Sequence, residues 1–171
     1  LALASLFLAP IAGRRLAQLA RLGTVDALFL VFAGVSLAFH FFTWIAAVQQ
    51  TTVATAAIFF SVNPVITAVA GWIFYRERPS RRLAVSIGLG LAGVALIGVA
   101  DLELNPDQLS GNALAVLSSV LFTAYFLLGK RVRRTVDSGA YVTGVYGVAA
   151  LAGFAALLVL GQPIVDFSAR N

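Results

Sequence analysis

Apolar runs long enough to cross a bilayer alternate with short polar breaks along the chain. The most informative stretch is 53–82, VATAAIFFSVNPVITAVAGWIFYRERPSRR. It starts with small residues, carries an Asn63-Pro64 pair near its middle, and stops at Arg76, Arg78, Arg81 and Arg82, with Glu77 among them. About 20 residues at about 1.5 Å rise match a hydrocarbon core of about 30 Å, so 53–75 predicts a membrane-spanning helix. Pro64 removes one backbone donor and frees the carbonyl a turn earlier, which a neighbouring helix, a polar side chain or cavity water must satisfy. This helix is therefore expected against other helices or a cavity, not surrounded by lipid.

The same pattern predicts the trailing half of a helix at 1–12, ending at Pro10 and Gly13, and further spans at 26–49, 83–100, 111–129 and 140–160. Thr24 is a candidate cap for the second of these, and Asp26 suits its positive end. The polar turn Gln49-Gln50-Thr51-Thr52 is short, so 53–75 must return antiparallel beside 26–49. Pro79-Ser80, Asn105-Pro106 and Asp137-Ser138-Gly139 mark the later turns. Nothing reads as a strand. The fold class is all-α: a polytopic membrane helix bundle with five complete spans and a partial one. Span 83–100 is small-faced, with Ala84, Gly88 and Ala92 on one stripe and Ser86, Gly90 and Gly98 on the next. Gly88, Gly90 and Gly93 are expected as packing residues against a helix of this chain or of another protomer in a homo-oligomer. The alternative is a Gly/Ala-rich span with no special partner.

Composition agrees with this class: 60% hydrophobic and 11% charged residues, with a mean hydropathy of +0.94, lie well outside the range of soluble domains. With no Cys and one His, the chain offers no disulfide, no thiolate and no protein-built zinc site. No cofactor or metal is implied. The chain has no Met and opens inside an apolar run without a basic n-region, so it is expected to be a fragment and not to carry a signal peptide.

The net charge of +5 takes its meaning from placement. All Lys and Arg except Arg170 fall in 13–23, 76–82 and 130–139, while the turn near 50 has none and the loop 101–111 is acidic. The positive-inside rule makes those three basic loops cytoplasmic. They alternate correctly with the spans. The basic clusters are short and sit at helix ends without aromatic interleaving, which argues against nucleic acid as a partner and leaves the lipid bilayer as the charged surface they meet.

The order of these parts resembles the EamA-type repeat of the drug/metabolite transporter superfamily. The resemblance rests on Asn63-Pro64-Val65, on Trp72-Ile73-Phe74 followed by Tyr75-Arg76-Glu77-Arg78-Pro79-Ser80, and on the Gly-rich run Gly88-Leu89-Gly90 through Val99. Trp44–Val48 is similar to the end of the family's third helix, and Leu121-Phe122-Thr123-Ala124-Tyr125-Phe126 to the start of a second repeat. The resemblance implies ten helices in two inverted five-helix repeats enclosing a midplane site. It assigns 1–100 to helices two to five of the first repeat and 111–171 to helices six and seven. The first and the last three helices would be absent.

His40 is the only ionisable side chain clearly within a span apart from the tyrosines, which makes it a site candidate. Its alternative is a neutral His bonded to a neighbouring helix. Trp44, one turn further on the same face, is either a cavity wall or an interfacial anchor. Asn63 with Pro64 would loosen the helix and offer an amide to a cavity, in a binding or gating role. Tyr125 is either a cavity residue or a packed aromatic. Glu77 matches the family's Glu, yet among arginines it is expected to hold helix ends together.

No paired carboxylate, Ser-His-Asp arrangement or phosphate loop lies in the spans, so no catalysis is expected. The function expected is a secondary transporter in a bacterial plasma membrane, exporting small metabolites, amino acids or drugs by alternating access. The alternatives are a non-transport membrane scaffold or, among transporters, a sugar or nucleotide-sugar carrier. A carrier of phosphorylated solutes would need cationic residues facing the cavity, and the spans show none.

Overall fold

The computed structural model describes residues 17–104 and 106–159. It is helical throughout these residues: α1 (Thr24–Gln50), α2 (Val53–Phe60), α3 (Asn63–Tyr75), α4 (Arg81–Leu104), a 3-10 turn (Pro106–Gln108), α5 (Leu109–Val132) and α6 (Ser138–Val159). Five segments are long and apolar enough to cross a membrane, with α2 and α3 together forming one of them. The predicted spans from 26 onward reappear with their ends moved by a few residues. The partial helix predicted at 1–12 and the exit after 160 lie outside the described residues.

One span differs in kind from the uninterrupted helix expected. Val53–Tyr75 is two helices, broken at Ser61-Val62, with Pro64 in the first turn of α3. The reason is local. Pro64 has no N–H and its ring crowds the preceding turn, so the chain restarts where a missing donor costs least. Thr52 caps the first half-helix by accepting from the Thr55 N–H at 3.1 Å, as its position just before an apolar run favours.

Helix α5 is the centre of the bundle. It packs along α1 and also meets α2 and α3, while α6 packs on α1. The main core joins Leu30, Ala33 and Leu37 of α1 to Val132 of α5 and Tyr141 and Val145 of α6. A smaller cluster of Ala47, Ala56 and Ala115 closes the other end of α1 against α2 and α5. Small side chains at both contacts allow close backbone approach. Gly34 and Gly129 show it most directly: a Cβ on Gly34 would lie 2.6 Å from Val148, and one on Gly129 would overlap the Tyr141 hydroxyl.

Polar contacts fix the two ends of the bundle. At one end Asp26 accepts from Arg131 Nε at 2.8 Å, Glu77 pairs with Lys130, and Gln18 bonds Asp137 through both its amide atoms at 2.9 and 3.0 Å. The loops before α1, after α3 and after α5 therefore share this end. At the other end Thr51 donates to Gln108 at 2.9 Å, and Gly111 fits against Gln50 and Thr51.

Helix α4 stands apart. None of its apolar window is buried, and a cavity of about 400 Å³ separates Val62 and Pro64 from Leu83, Ile87 and Gly90. A Cβ on Gly88, Gly90 or Gly93 would meet no atom within 4 Å among the described residues. Within these residues no helix covers Gly88, Gly90 or Gly93, whereas a Cβ on Gly98, further along α4, would lie 3.6 Å from the Phe59 ring of α2.

Candidate functional site

The helix break is held by α5. Pro64 leaves the carbonyl of Phe60, four residues earlier, without its helical donor. Ser119 Oγ donates to that carbonyl at 3.2 Å. Asn63, on the other side of the break, donates from Nδ2 to the Ser119 carbonyl at 3.2 Å and to Thr123 Oγ1 at 3.0 Å. Ser119 and Thr123 lie one turn apart on α5, as do Asn63 and Thr67 on α3, so two short polar ladders face each other. Thr67 and Thr123 complete the contact, with their hydroxyls 3.3 Å apart. Buried polar groups in an apolar setting need such partners.

Asn63 and Thr67 of these ladders border a cavity of about 520 Å³, within the range of small-molecule sites. Asn63, Thr67, Phe122 and Phe126 form its inner walls. Gly71 and the loop Glu77-Arg78-Pro79-Ser80 border it toward the basic end of the bundle. The cavity thus runs from the mid-span break to the loop after α3. Arg76 turns that loop with φ at 56° in the left-handed region, and the Glu77 N–H bonds back to the Gly71 carbonyl at 3.2 Å.

A second cavity of about 250 Å³ lies beside the first, lined by His40, Phe41, Trp44, Phe60 and Phe122. Its rings touch edge to face: Trp44 on Phe60 at 5.4 Å and Phe60 on Phe122 at 5.7 Å between centroids. His40 is buried and fixed to α5. Its Nδ1 lies 3.0 Å from the Ser118 carbonyl and 2.8 Å from the Ser118 hydroxyl, which donates to the His40 carbonyl at 3.2 Å. A carbonyl only accepts, so this network places the proton on Nδ1.

The residues singled out in the sequence therefore divide. His40 and Trp44 line the smaller cavity and Asn63 with Pro64 the larger. Tyr125 lines neither of these two cavities. It lies between Phe122, at 5.6 Å, and Tyr141, at 6.4 Å. Glu77 borders the larger cavity and is paired with Lys130, whose ammonium also lies over the Tyr75 ring at 4.6 Å. Tyr75 in turn donates to the Leu127 carbonyl at 2.8 Å, tying the end of α3 to α5. Sequence reasoning missed Phe122, the wall common to both cavities, and Arg78, read there only as a topological charge. It gave no role to Ser118, Ser119 or Thr123; their positions on an otherwise apolar span were the available signal.

Among the described residues no group of three or more His, Cys, Asp or Glu could hold a metal ion. What the arrangement offers is binding: two cavities with aromatic walls, one of them with a polar ladder at a helix break. A multi-pass membrane protein built of packed helices around such cavities is the class defined here. The EamA-like transporter family model matches residues 1–99 of the 171, and the chain belongs to that family. No match was found among curated proteins or solved structures.

Proposed function

We propose that the protein is a secondary transporter that exports small metabolites, amino acids or drugs by alternating access. The observation that carries this reading is the span broken at Asn63-Pro64 against a cavity of about 520 Å³. Irregular backbone at membrane depth is tolerated where it is buried in protein or lines an aqueous cavity, and transporters place their solute sites at such breaks. In this reading Asn63 and Thr67, held by Thr123, form the polar part of the solute site and the break supplies the flexing point. His40 and Trp44 shape an adjoining aromatic chamber.

The three basic loops are on the cytoplasmic side of a plasma membrane by the positive-inside rule. The larger cavity then borders the cytoplasmic loop, as an exporter waiting for its solute requires. Residues 1–100 form part of a first repeat and 111–171 the start of a second, inverted one. Among the described residues Glu77 is the one carboxylate bordering these two cavities, and its pairing with Lys130 favours this reading over catalysis.

The test is solute counterflow by the full chain in proteoliposomes, with a panel of amino acids, organic acids and amphipathic drugs. Saturable flux of at least one solute is expected, lowered at least tenfold by Asn63→Ala in protein of unchanged thermal stability. Absence of saturable flux across the panel would overturn the proposal. Flux untouched by Asn63→Ala, His40→Ala and Trp44→Ala would remove these residues from the pathway.

A further inference from the structure

We infer that the larger cavity selects amphipathic monoanions, solutes with an apolar or aromatic body and one carboxylate- or sulfonate-type head. The inference rests on the reading of this cavity as a solute site and adds the charge of its ligand. It comes from the pairing of charges at the cavity's outer rim. Glu77 and Arg78 both border the cavity, and taken alone they would cancel. Glu77, however, is engaged by Lys130. Arg78 has no ion-pair partner among the described residues.

Nearby charges reinforce that excess. Asp26 at this end of the bundle is held by Arg131 at 2.8 Å. Arg133 stands over the Phe126 ring, 5.3 Å from its centroid, and so places a second guanidinium behind the aromatic wall. Arg81 and Arg82 open helix α4 just beyond and are exposed. A cleft with low-dielectric walls and one sign of charge at its rim concentrates ions of the opposite sign.

The walls complete the specification. Phe122 and Phe126 present two rings one helical turn apart, opposite Pro64 and Ala68 of α3. They suit a flat or apolar body, and the guanidinium fork suits a planar or tetrahedral oxyanion. A solute bound this way lays its body between α3 and α5 and its head on Arg78. Asn63 and Thr67 at the inner end accommodate one further polar substituent. A cationic head would face Arg78 with the bordering carboxylate, Glu77, already engaged by Lys130.

Three probes sharing one phenethyl body separate the possibilities: 2-phenylethanesulfonate, phenylalanine and phenethyltrimethylammonium. Their binding to, and uptake by, the full chain in neutral phosphatidylcholine vesicles would be measured side by side. The sulfonate is expected to bind at least tenfold more tightly than the ammonium. Arg78→Gln should weaken sulfonate binding about tenfold and leave ammonium binding unchanged or tighter. Arg82→Gln, in the first turn of α4 and off the cavity wall, should weaken sulfonate binding by no more than about twofold.

Equal or tighter binding of phenylalanine or the ammonium, binding of none of the three, or sulfonate binding indifferent to Arg78→Gln would overturn the inference. Uptake of phenylalanine or the ammonium with no response to the sulfonate would sink the anion preference and leave the transport reading standing. Sulfonate binding that depends on Arg78 without any uptake would uphold the site and sink the transport reading.

Discussion

The hydroxyl of Ser119 reaches the carbonyl of Phe60 at 3.2 Å, the one carbonyl that Pro64 deprives of its helical donor. The two residues lie 59 positions apart in sequence, so the defect that proline makes in one span is repaired by another. The repair has a measurable signature. Ser119→Ala should lower stability by about 1 kcal/mol, the usual size of such a bond between membrane helices. In a Pro64→Ala background, where residue 64 supplies an N–H of its own, the same change should cost much less. Thermal unfolding of the four proteins in detergent gives the coupling directly. Additive effects would mean that Ser119 does not serve the broken helix.

Gly129 and Gly88 should respond oppositely to a methyl group. A Cβ on Gly129 would collide with the buried Tyr141 ring and hydroxyl, whereas one on Gly88 meets nothing within 4 Å among the described residues. Gly129→Ala is expected to destabilise by about 1–3 kcal/mol, as overpacking does. Gly88→Ala should be neutral or stabilise by up to about 1 kcal/mol through helix propensity. A loss of stability in Gly88→Ala would show instead that the small face of α4 is covered in the membrane, and the same melts read this out.

Arg76 is the only non-glycine residue with positive φ among the described residues. Its backbone turns the chain out of α3 by donating to the Gly71 carbonyl, a geometry that glycine adopts without the Cβ penalty. Arg76→Gly should therefore raise stability by about 0.5–1 kcal/mol. An unchanged or lower melting temperature would show that the Arg76 side chain contributes more than its backbone strain costs.

The Glu77–Lys130 pair holds the ends of α3 and α5 together, with side chains 57% and 30% exposed. That exposure limits its contribution to about 1 kcal/mol or less. Glu77→Gln should lower the melting temperature slightly in low salt and by less in high salt. A large loss that salt does not alter would mean that Glu77 supports the fold through something other than its charge.

The spans were legible in the sequence because hydrophobic length and turn chemistry are local properties. Pro64 also announced, before any coordinates, that a carbonyl near it would need a donor from elsewhere. Its source was not legible. Ser118 and Ser119 are neighbours in sequence, yet one bonds His40 of α1 and the other Phe60 of the broken span. Only the register of α5 between those helices decides which serves which. Arg78 was read as one of several loop arginines, since nothing local says that the loop folds over a cavity. Tyr125 shares its span with Phe122, but helical phase turns Phe122 to both cavities and leaves Tyr125 among rings.

Phe122 forms a wall of both cavities at once. Space gained on one side of that ring is space lost on the other, so a guest that pushes it aside to enter one chamber shrinks its neighbour. Two guests would then compete without touching, and an inhibitor lodged beside Trp44 would expel a solute resting against Asn63.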